Sequence, residues 1–371
     1  MGQYVSPELI RSGVFDHVVL ADVDVEKTRR LASEWKGSPY QIIHLDASDS
    51  SALAELMRDQ PAVIVNALPK EFTVPVARVA IEAKTRVIDL SNITAQLRAL
   101  DAEARAAGAL YVAGCGASSG LTNMMAKHGA REMDQVDCIR IAFATFRSIA
   151  LSPASIDGVF WLFGPASQRG YFADGKYHTV ALWEGEEHVE FAPPFGRQTV
   201  YIVPNSEPLT LSRNLGAKRV EIRGTYTPKV MRLIKSLVEY GVFSPQPVTI
   251  SGMTLSRREL MKQYLAQVPE ANQEPLWGYA IHVEVIGQMA GHTIRRILRS
   301  RHPIDGTPGW VGPEAWAKCV ALPLVAGSLL LARGEYVGLG VDAPEAFLPT
   351  GPFLAELAQR GITVEETVIA T

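Results

Sequence analysis

A few polar residues that close β-branched runs are where this sequence could do chemistry. Asp22 follows Val18-Val19-Leu20-Ala21, Asn66 follows Ala62-Val63-Ile64-Val65, and Asp89 lies in Arg86-Val87-Ile88-Asp89-Leu90. A glycine-rich stretch, Gly114-Cys115-Gly116 through Gly120-Leu121-Thr122-Asn123, follows Ala109-Leu110-Tyr111-Val112. Loops after successive parallel strands gather at the carboxyl edge of the sheet, where such folds bind ligands. Asp22 closes the first visible strand, where a dinucleotide fold places the carboxylate that binds the adenosine ribose and repels a 2′-phosphate. That reading favours NAD over NADP; the alternative is a solvated loop aspartate. Asp46, after the next strand, is assigned to the cofactor side, as are Asn66, Ala67 and Leu68. Gly114 and Gly116 permit close backbone approach to a cofactor, and Asp89 has the chemistry of a general acid or base. Taken singly, each of these loops reads as a structural turn; together they read as one edge.

The elements that must position these residues form a βαβ series from His17 to Val112. Runs at 17–21, 40–45, 62–66, 86–90 and 109–112 are predicted strands. Between them 26–34, 51–58, 74–83 and 97–107 have helical spacing, with Ser50 as a cap. Beyond residue 123 longer alternating runs and tight glycine turns signal antiparallel pairing. Asp174-Gly175 and Glu184-Gly185 predict a three-stranded meander over 171–191, and 138–146, 198–203, 219–226, 247–250 and 279–285 add strands. Helices are predicted over 228–240 and 256–268. Helical periodicity returns from Pro313. The chain thus reads as a Rossmann-like parallel sheet over 1–123, a mixed, mainly antiparallel α+β domain over 124–312, and a segment, 313–371, that returns to the first domain.

A glycine-rich phosphate turn belongs about 20 residues before the ribose carboxylate, and counting back from Asp22 reaches Gly2. The strand preceding that turn occupies the middle of the 3-2-1-4-5-6 order, so the parallel sheet reads as N-terminally incomplete. An upstream start, with Gly2 inside the turn, is the favoured expectation. Divergence into a form that does not hold a dinucleotide normally, or a short opening helix with Ser6 as N-cap and Pro7 at N1, are the alternatives.

Composition bounds the class. The 371 residues carry 36 Lys+Arg and 39 Asp+Glu, a net charge of −3, with 47% apolar and 20% charged residues. A balanced chain lacks the basic field that nucleic-acid binding needs, so small metabolites are the expected partners. Cys115, Cys138 and Cys319 form no CxxC pair, and no two of the eight histidines form HExxH or HxH, so a reduced, cytoplasmic setting without a metal site is expected. The opening residues show neither a signal nor a transit pattern. The longest apolar run, Val320 to Ala332, is short of the roughly 20 residues a membrane span needs and reads as a buried helix.

With Leu20-Ala21-Asp22-Val23-Asp24, Val65-Asn66-Ala67-Leu68-Pro69, Val87-Ile88-Asp89-Leu90, the Gly114–Asn123 loop, Thr210-Leu211-Ser212-Arg213, and the tail from Leu331-Ala332-Arg333-Gly334-Glu335 to Arg360-Gly361-Ile362 in view, the chain resembles the saccharopine dehydrogenase-like oxidoreductases over nearly its whole length. The resemblance implies an NAD(P)-binding first domain, a second domain that binds an amino acid and forms a homodimer, and redox chemistry at a C–N bond of a lysine- or saccharopine-like substrate. It places Asp89 and Cys115 in active-site loops, Asp89 for proton transfer or amine orientation; for Cys115 a small packed residue is the favoured alternative. Ser119 stands where the family commonly has proline, and the glycine loop is absent. An amino-acid carboxylate calls for an arginine fork. Arg169 and Arg213 are the candidates, with Arg147, Arg197 and Arg223 as equals in type. Phe160, Trp161 and Phe163 wall a pocket or, more in keeping with adjacent aromatics, a core. Two rivals to a dehydrogenase stand: a cofactor-deficient dimeric binding or scaffold protein, and a lyase or cyclase acting on an imine.

Overall fold

The computed structural model describes residues 1–149, 153–267, 276–304 and 306–370. Two compact units result, the first formed by Met1–His128 with Ala317–Thr363 and the second by Gly129–Trp316 with Val364–Thr371. The opening segment of the first unit ends at residue 128, where the sequence reading places a boundary at 123. The tail, however, is shared between the units where the sequence reading keeps 313–371 together.

In the first unit α1 (Gly2–Arg11) precedes β1 (Val18–Asp22), α2 (Val25–Ala32), β2 (Tyr40–His44), α3 (Ser50–Arg58), β3 (Ile64–Asn66), α4 (Thr73–Glu82), β4 (Arg86–Asp89), α5 (Ala95–Arg98), α6 (Asp101–Ala107), β5 (Leu110–Val112) and α7 (Leu121–Ala130). The predicted βαβ series is therefore present. The cap of α3 is Asp49, not Ser50: its carboxylate accepts from Ser51 N at 2.9 Å and Ala52 N at 3.2 Å, and a negative charge suits the positive end of a helix. The alternative of a helix opening at Pro7 is also corrected. α1 starts at Gly2 with Pro7 inside it, because burial of Val5, Leu9 and Ile10 outweighs the amide hydrogen bond that proline forfeits.

The parallel strands fall into two ladders. β1 pairs with β2, Val18 opposite Tyr40, while β3, β4 and β5 continue outward from one another. Among the described residues no ladder joins β1 to β3, which is the position of the strand the sequence reading lacks. Val19 of β1 is accordingly 42% exposed, unusual for a valine in a doubly covered sheet. A larger core cluster lies on the other ladder, where Leu53, Met57, Val76, Ala80, Val87, Leu97 and Tyr111 pack together, and a smaller one of Ile10, Leu20 and Ala32 lies on β1–β2.

The second unit holds β6 (Gln135–Phe146), α8 (Pro153–Phe163), β7 (Gly170–Ala173), β8 (Lys176–Thr179), β9 (Glu187–Glu190), β10 (Arg197–Ile202), α9 (Glu207–Leu215), β11 (Arg219–Tyr226), α10 (Pro228–Glu239), β12 (Val248–Ile250), β13 (Met253–Leu255), α11 (Arg257–Ala266), β14 (Gly278–Met289) and β15 (His292–Arg301). The predicted helix over 256–268 is α11, and residue 268 lies outside the described residues. The chain continues through α12 (Pro313–Ala332), β16 (Gly340–Asp342), α13 (Pro344–Phe347), α14 (Thr350–Gln359) and β17 (Thr363–Ala370). β16 adds in parallel to β5, whereas β17 joins β15 in a nine-stranded mixed sheet ordered β17-β15-β14-β6-β11-β10-β9 with the β7–β8 hairpin beside β11. β6 and β11 run parallel within it.

The meander is half right. Asp174-Gly175 turns β7 into β8, both residues at positive φ, but β9 pairs with β10 instead of β8. Trp183 explains the break, since its ring stacks on Phe163 at 5.4 Å and meets Tyr201 edge-on at 5.3 Å, which takes the chain out of the ladder. β15, α8 and α9 are absent from the sequence reading. In β15 a run of arginines hides an alternation that buries Ile294, Arg296, Leu298 and Ser300. The apolar run of 320–332 is buried in α12, the one helix among the described residues long and apolar enough to cross a membrane by composition, with 78% of its apolar window covered by protein.

Candidate functional site

Parallel pairing of β3, β4 and β5 brings Asn66, Asp89 and Tyr111 together, Asn66 directly opposite Asp89. Asn66 Nδ2 donates to Asp89 Oδ2 at 2.8 Å, the Tyr111 hydroxyl donates to the same oxygen, and Ser91 N donates to Oδ1 at 2.7 Å. Thr73 O lies 3.3 Å from the Tyr111 hydroxyl, and Leu68 N donates to Asn66 Oδ1 at 3.2 Å. Asp89 is 0% exposed. Burial pushes its carboxyl above the ordinary value, against the pull of the bonds from Tyr111, Ser91 and Asn66, and burial beside Asp89 raises the Tyr111 hydroxyl well above its own. So placed, Asp89 presents no oxygen to a ligand; it ties three strand ends and their loops. Tyr111, which sequence reasoning missed, is the partner that makes this a network, and its one signal was a hydroxyl in an otherwise apolar strand.

The loop leaving β5 is anchored to the same carboxylate residue. Cys115 N donates to Asp89 O at 2.9 Å, Gly114 N to Ser91 O at 2.8 Å, and Gly116 N to Ser119 O at 2.8 Å. Ser119 Oγ donates to Asn92 Oδ1 at 2.7 Å, which fixes the loop by hydrogen bonding. Gly120, at φ +125°, is required by contact, since a Cβ there would sit 2.1 Å from Gly116 O. Cys115 itself is fully buried, its thiol donating to Pro323 O at 3.3 Å and pushed far up by burial and then by Glu345. A thiol in this state is not a nucleophile; the packed alternative describes it.

On the cofactor side Asp22 is exposed at the carboxyl end of β1. One oxygen accepts from Asp24 N at 2.9 Å, and among the described residues the other has no protein donor. α1 begins at Gly2 with no side-chain cap on its amides, the arrangement that receives a phosphate. The exposed Asp22 carboxylate fits a ribose hydroxyl, and no glycine-rich turn leads into α1 within the 371 residues. Asp46 is exposed too, but its carboxylate is engaged by Ser48 N at 2.9 Å and Ser48 Oγ at 2.7 Å, bonds that hold it below the ordinary value. Asp46 shapes the turn after β2.

In the second unit the two candidate arginines differ. Arg169 is 2% exposed, donates through Nη2 to Gly164 O at 2.6 Å, and has a buried Nε without a partner among the described residues. Arg213 is exposed on α9. Arg223 is removed from the field by ion pairs to Glu221 at 2.9 Å and Glu187 at 3.3 Å, and Arg197 is exposed on β10. Phe160 packs on Phe243 at 4.3 Å and Phe163 on Trp183, the core role expected of them.

Parallel strands with their polar loops tied at the carboxyl edge, followed by a mixed-sheet domain, are the architecture of a two-domain, Rossmann-like fold. The chain belongs to the saccharopine dehydrogenase family: residues 1–112 match the saccharopine dehydrogenase NADP binding domain and residues 116–362 the saccharopine dehydrogenase C-terminal domain. It is 27% identical over 247 residues to saccharopine dehydrogenase [NADP(+), L-glutamate-forming] of Saccharomyces cerevisiae, a match covering 62% of this chain and 54% of the yeast protein. It is 21% identical to the carboxynorspermidine synthase of Vibrio cholerae, covering 94% of this chain and 90% of that one. The apo structure of the yeast enzyme superposes with a TM-score of 0.71 at 18% identity, covering 99% and 98% of the two chains.

Proposed function

We propose that this protein is an NAD(P)-linked oxidoreductase that makes or breaks a C–N bond in an amino acid or amine, using NAD in preference to NADP and acting as a homodimer in the cytoplasm. The observation that carries the reading is Asp22, an exposed carboxylate with an oxygen free of protein donors at the end of β1, in a family whose first domain is described as NADP-binding. When bound, the nicotinamide supplies hydride transfer. Asp22 and the amides of α1 at Gly2 would hold its ribose and phosphate, while the Asn66–Leu68 and Gly114–Gly116 loops form the edge against which it lies. Within the first unit Asp89 acts as a positioning residue through Asn66 and Tyr111; within the second, Arg169, whose Nε has no partner among the described residues, is the candidate for holding a carboxylate.

Asp22→Asn tests the reading by fluorescence titration with NAD and NADP, followed by an absorbance screen with lysine, saccharopine and polyamines. Loss of a charge-assisted hydrogen bond predicts roughly 10-fold weaker NAD binding and a narrower NAD/NADP gap. No binding of either cofactor at millimolar concentration to the unaltered protein would remove the redox assignment. That outcome would favour the second reading, a non-catalytic binding protein; turnover of an imine without either cofactor would identify the lyase or cyclase.

A further inference from the structure

We propose that Arg147 and Trp316 form a carboxylate-binding subsite in the second unit. Arg147 leaves β6 and is 4% exposed, yet among the described residues no carboxylate pairs with it. Its Nη1 donates to Ser148 O at 2.8 Å, and its Nη2 to Ser155 O at 3.0 Å and to the Tyr226 hydroxyl at 2.8 Å. The guanidinium lies over the rings of Tyr226 and Trp316, at 5.0 Å and 4.9 Å from their centres. Carbonyl dipoles and ring faces reduce the cost of this buried cation but leave its charge whole.

Two donors at this spot are orphaned. Arg147 Nε and Trp316 Nε1 are both buried, and among the described residues neither has a hydrogen-bond partner. Native proteins leave few such groups unsatisfied, and here two N–H donors adjoin one uncompensated cation. A planar anion with two oxygens satisfies both and neutralises the charge, which points to a carboxylate. Trp316 is half-buried as a residue, and Gly158 carries no side chain against the guanidinium, where a Cβ would meet Arg147 Nη2 at 3.8 Å. The surroundings supply the contrast: Arg140, Arg219 and Arg223 converge on Glu221, so this unit gives other arginines their own carboxylate.

The subsite deepens the amino-acid reading above, resting on it only for the ligand's identity, and its test involves no turnover. The protein is titrated with glutarate, acetate and inorganic phosphate at constant ionic strength, following tryptophan fluorescence and the melting temperature. Saturable binding of glutarate is expected in the unaltered protein. Arg147→Met should weaken it roughly 10- to 100-fold, the worth of a charged hydrogen bond. Trp316→Phe, which keeps the ring and removes only the N–H, should weaken it about 5-fold with little change in the melting temperature of the ligand-free protein. Should Arg147→Met fail to fold, Trp316→Phe and Arg147→Lys decide. An unsaturable response, equal affinity in the variants (the result if Arg169 alone captures carboxylates), or tighter binding of phosphate than of glutarate would each overturn the proposal.

Discussion

Replacing Asp89 by alanine should cost the first unit about 3–5 kcal/mol. The carboxylate accepts from three donors, and its removal leaves each to find another partner inside the protein. Tyr111 keeps an acceptor in Thr73 O at 3.3 Å, so its share is small. Asn66 Nδ2 has only the Tyr111 oxygen at 3.4 Å and is 3% exposed, and Ser91 N loses its 2.7 Å bond. One to two stranded donors at about 1–3 kcal/mol each, plus a small cavity at a fully buried site, give the sum. For a unit of this size that is a fall of roughly 10 °C in melting temperature. Calorimetry and urea unfolding of Asp89→Ala, Tyr111→Phe and the double variant measure it, and the two changes should be strongly non-additive because they share one hydrogen bond. A drop below about 2 °C for Asp89→Ala, or simple additivity, would show that the three strand ends do not depend on this carboxylate.

Other outcomes follow from the same structure. Burial raises the Glu221 carboxyl, but Arg223, Arg140 and Arg219 more than offset this and hold it at about 2. Its contribution, roughly 2–3 kcal/mol after discounting the exposed arginine heads, is present above its ordinary value of 4.5 and lost as pH falls toward 2. Acid unfolding curves of Glu221→Gln should lack that portion of the slope. Cys115→Ala should cost about 1 kcal/mol and leave turnover with any substrate found unaltered, and thiol labelling of the native protein should modify Cys115 only as fast as it unfolds. Gly120→Ala should destabilise by several kcal/mol, read as a lower melting temperature, since backbone at 2.1 Å must move.

The βαβ half was legible because apolar runs and helical spacing alternate there without interference. That Asp22, Asn66 and the Gly114–Gly120 loop lie at strand ends was legible by the same logic, since polar residues there interrupt β-branched runs. Three things resisted. Arg295, Arg296 and Arg299 mask the buried alternation of β15, and the charges of Arg295 and Arg296 read as solvated until Glu284 of the adjoining β14 and the distant Glu366 pair with them. Trp183 breaks a meander through rings 20 residues and 18 residues away along the chain. The state of Asp89 depended on Tyr111 and Asn66 crowding it, a matter of burial that its own sequence neighbourhood does not encode.

The apportioning of the tail between the two units bears on how the molecule comes into being. Translation delivers the nine-stranded sheet of the second unit almost whole by residue 301, yet its edge position beside β15 is filled only when 363–370 leave the ribosome. The first unit likewise waits for β16 to flank β5. Nascent chains must therefore hold two unfinished sheets with open edges at once, a condition that invites chaperone capture and makes a late frameshift or nonsense change damaging to both halves.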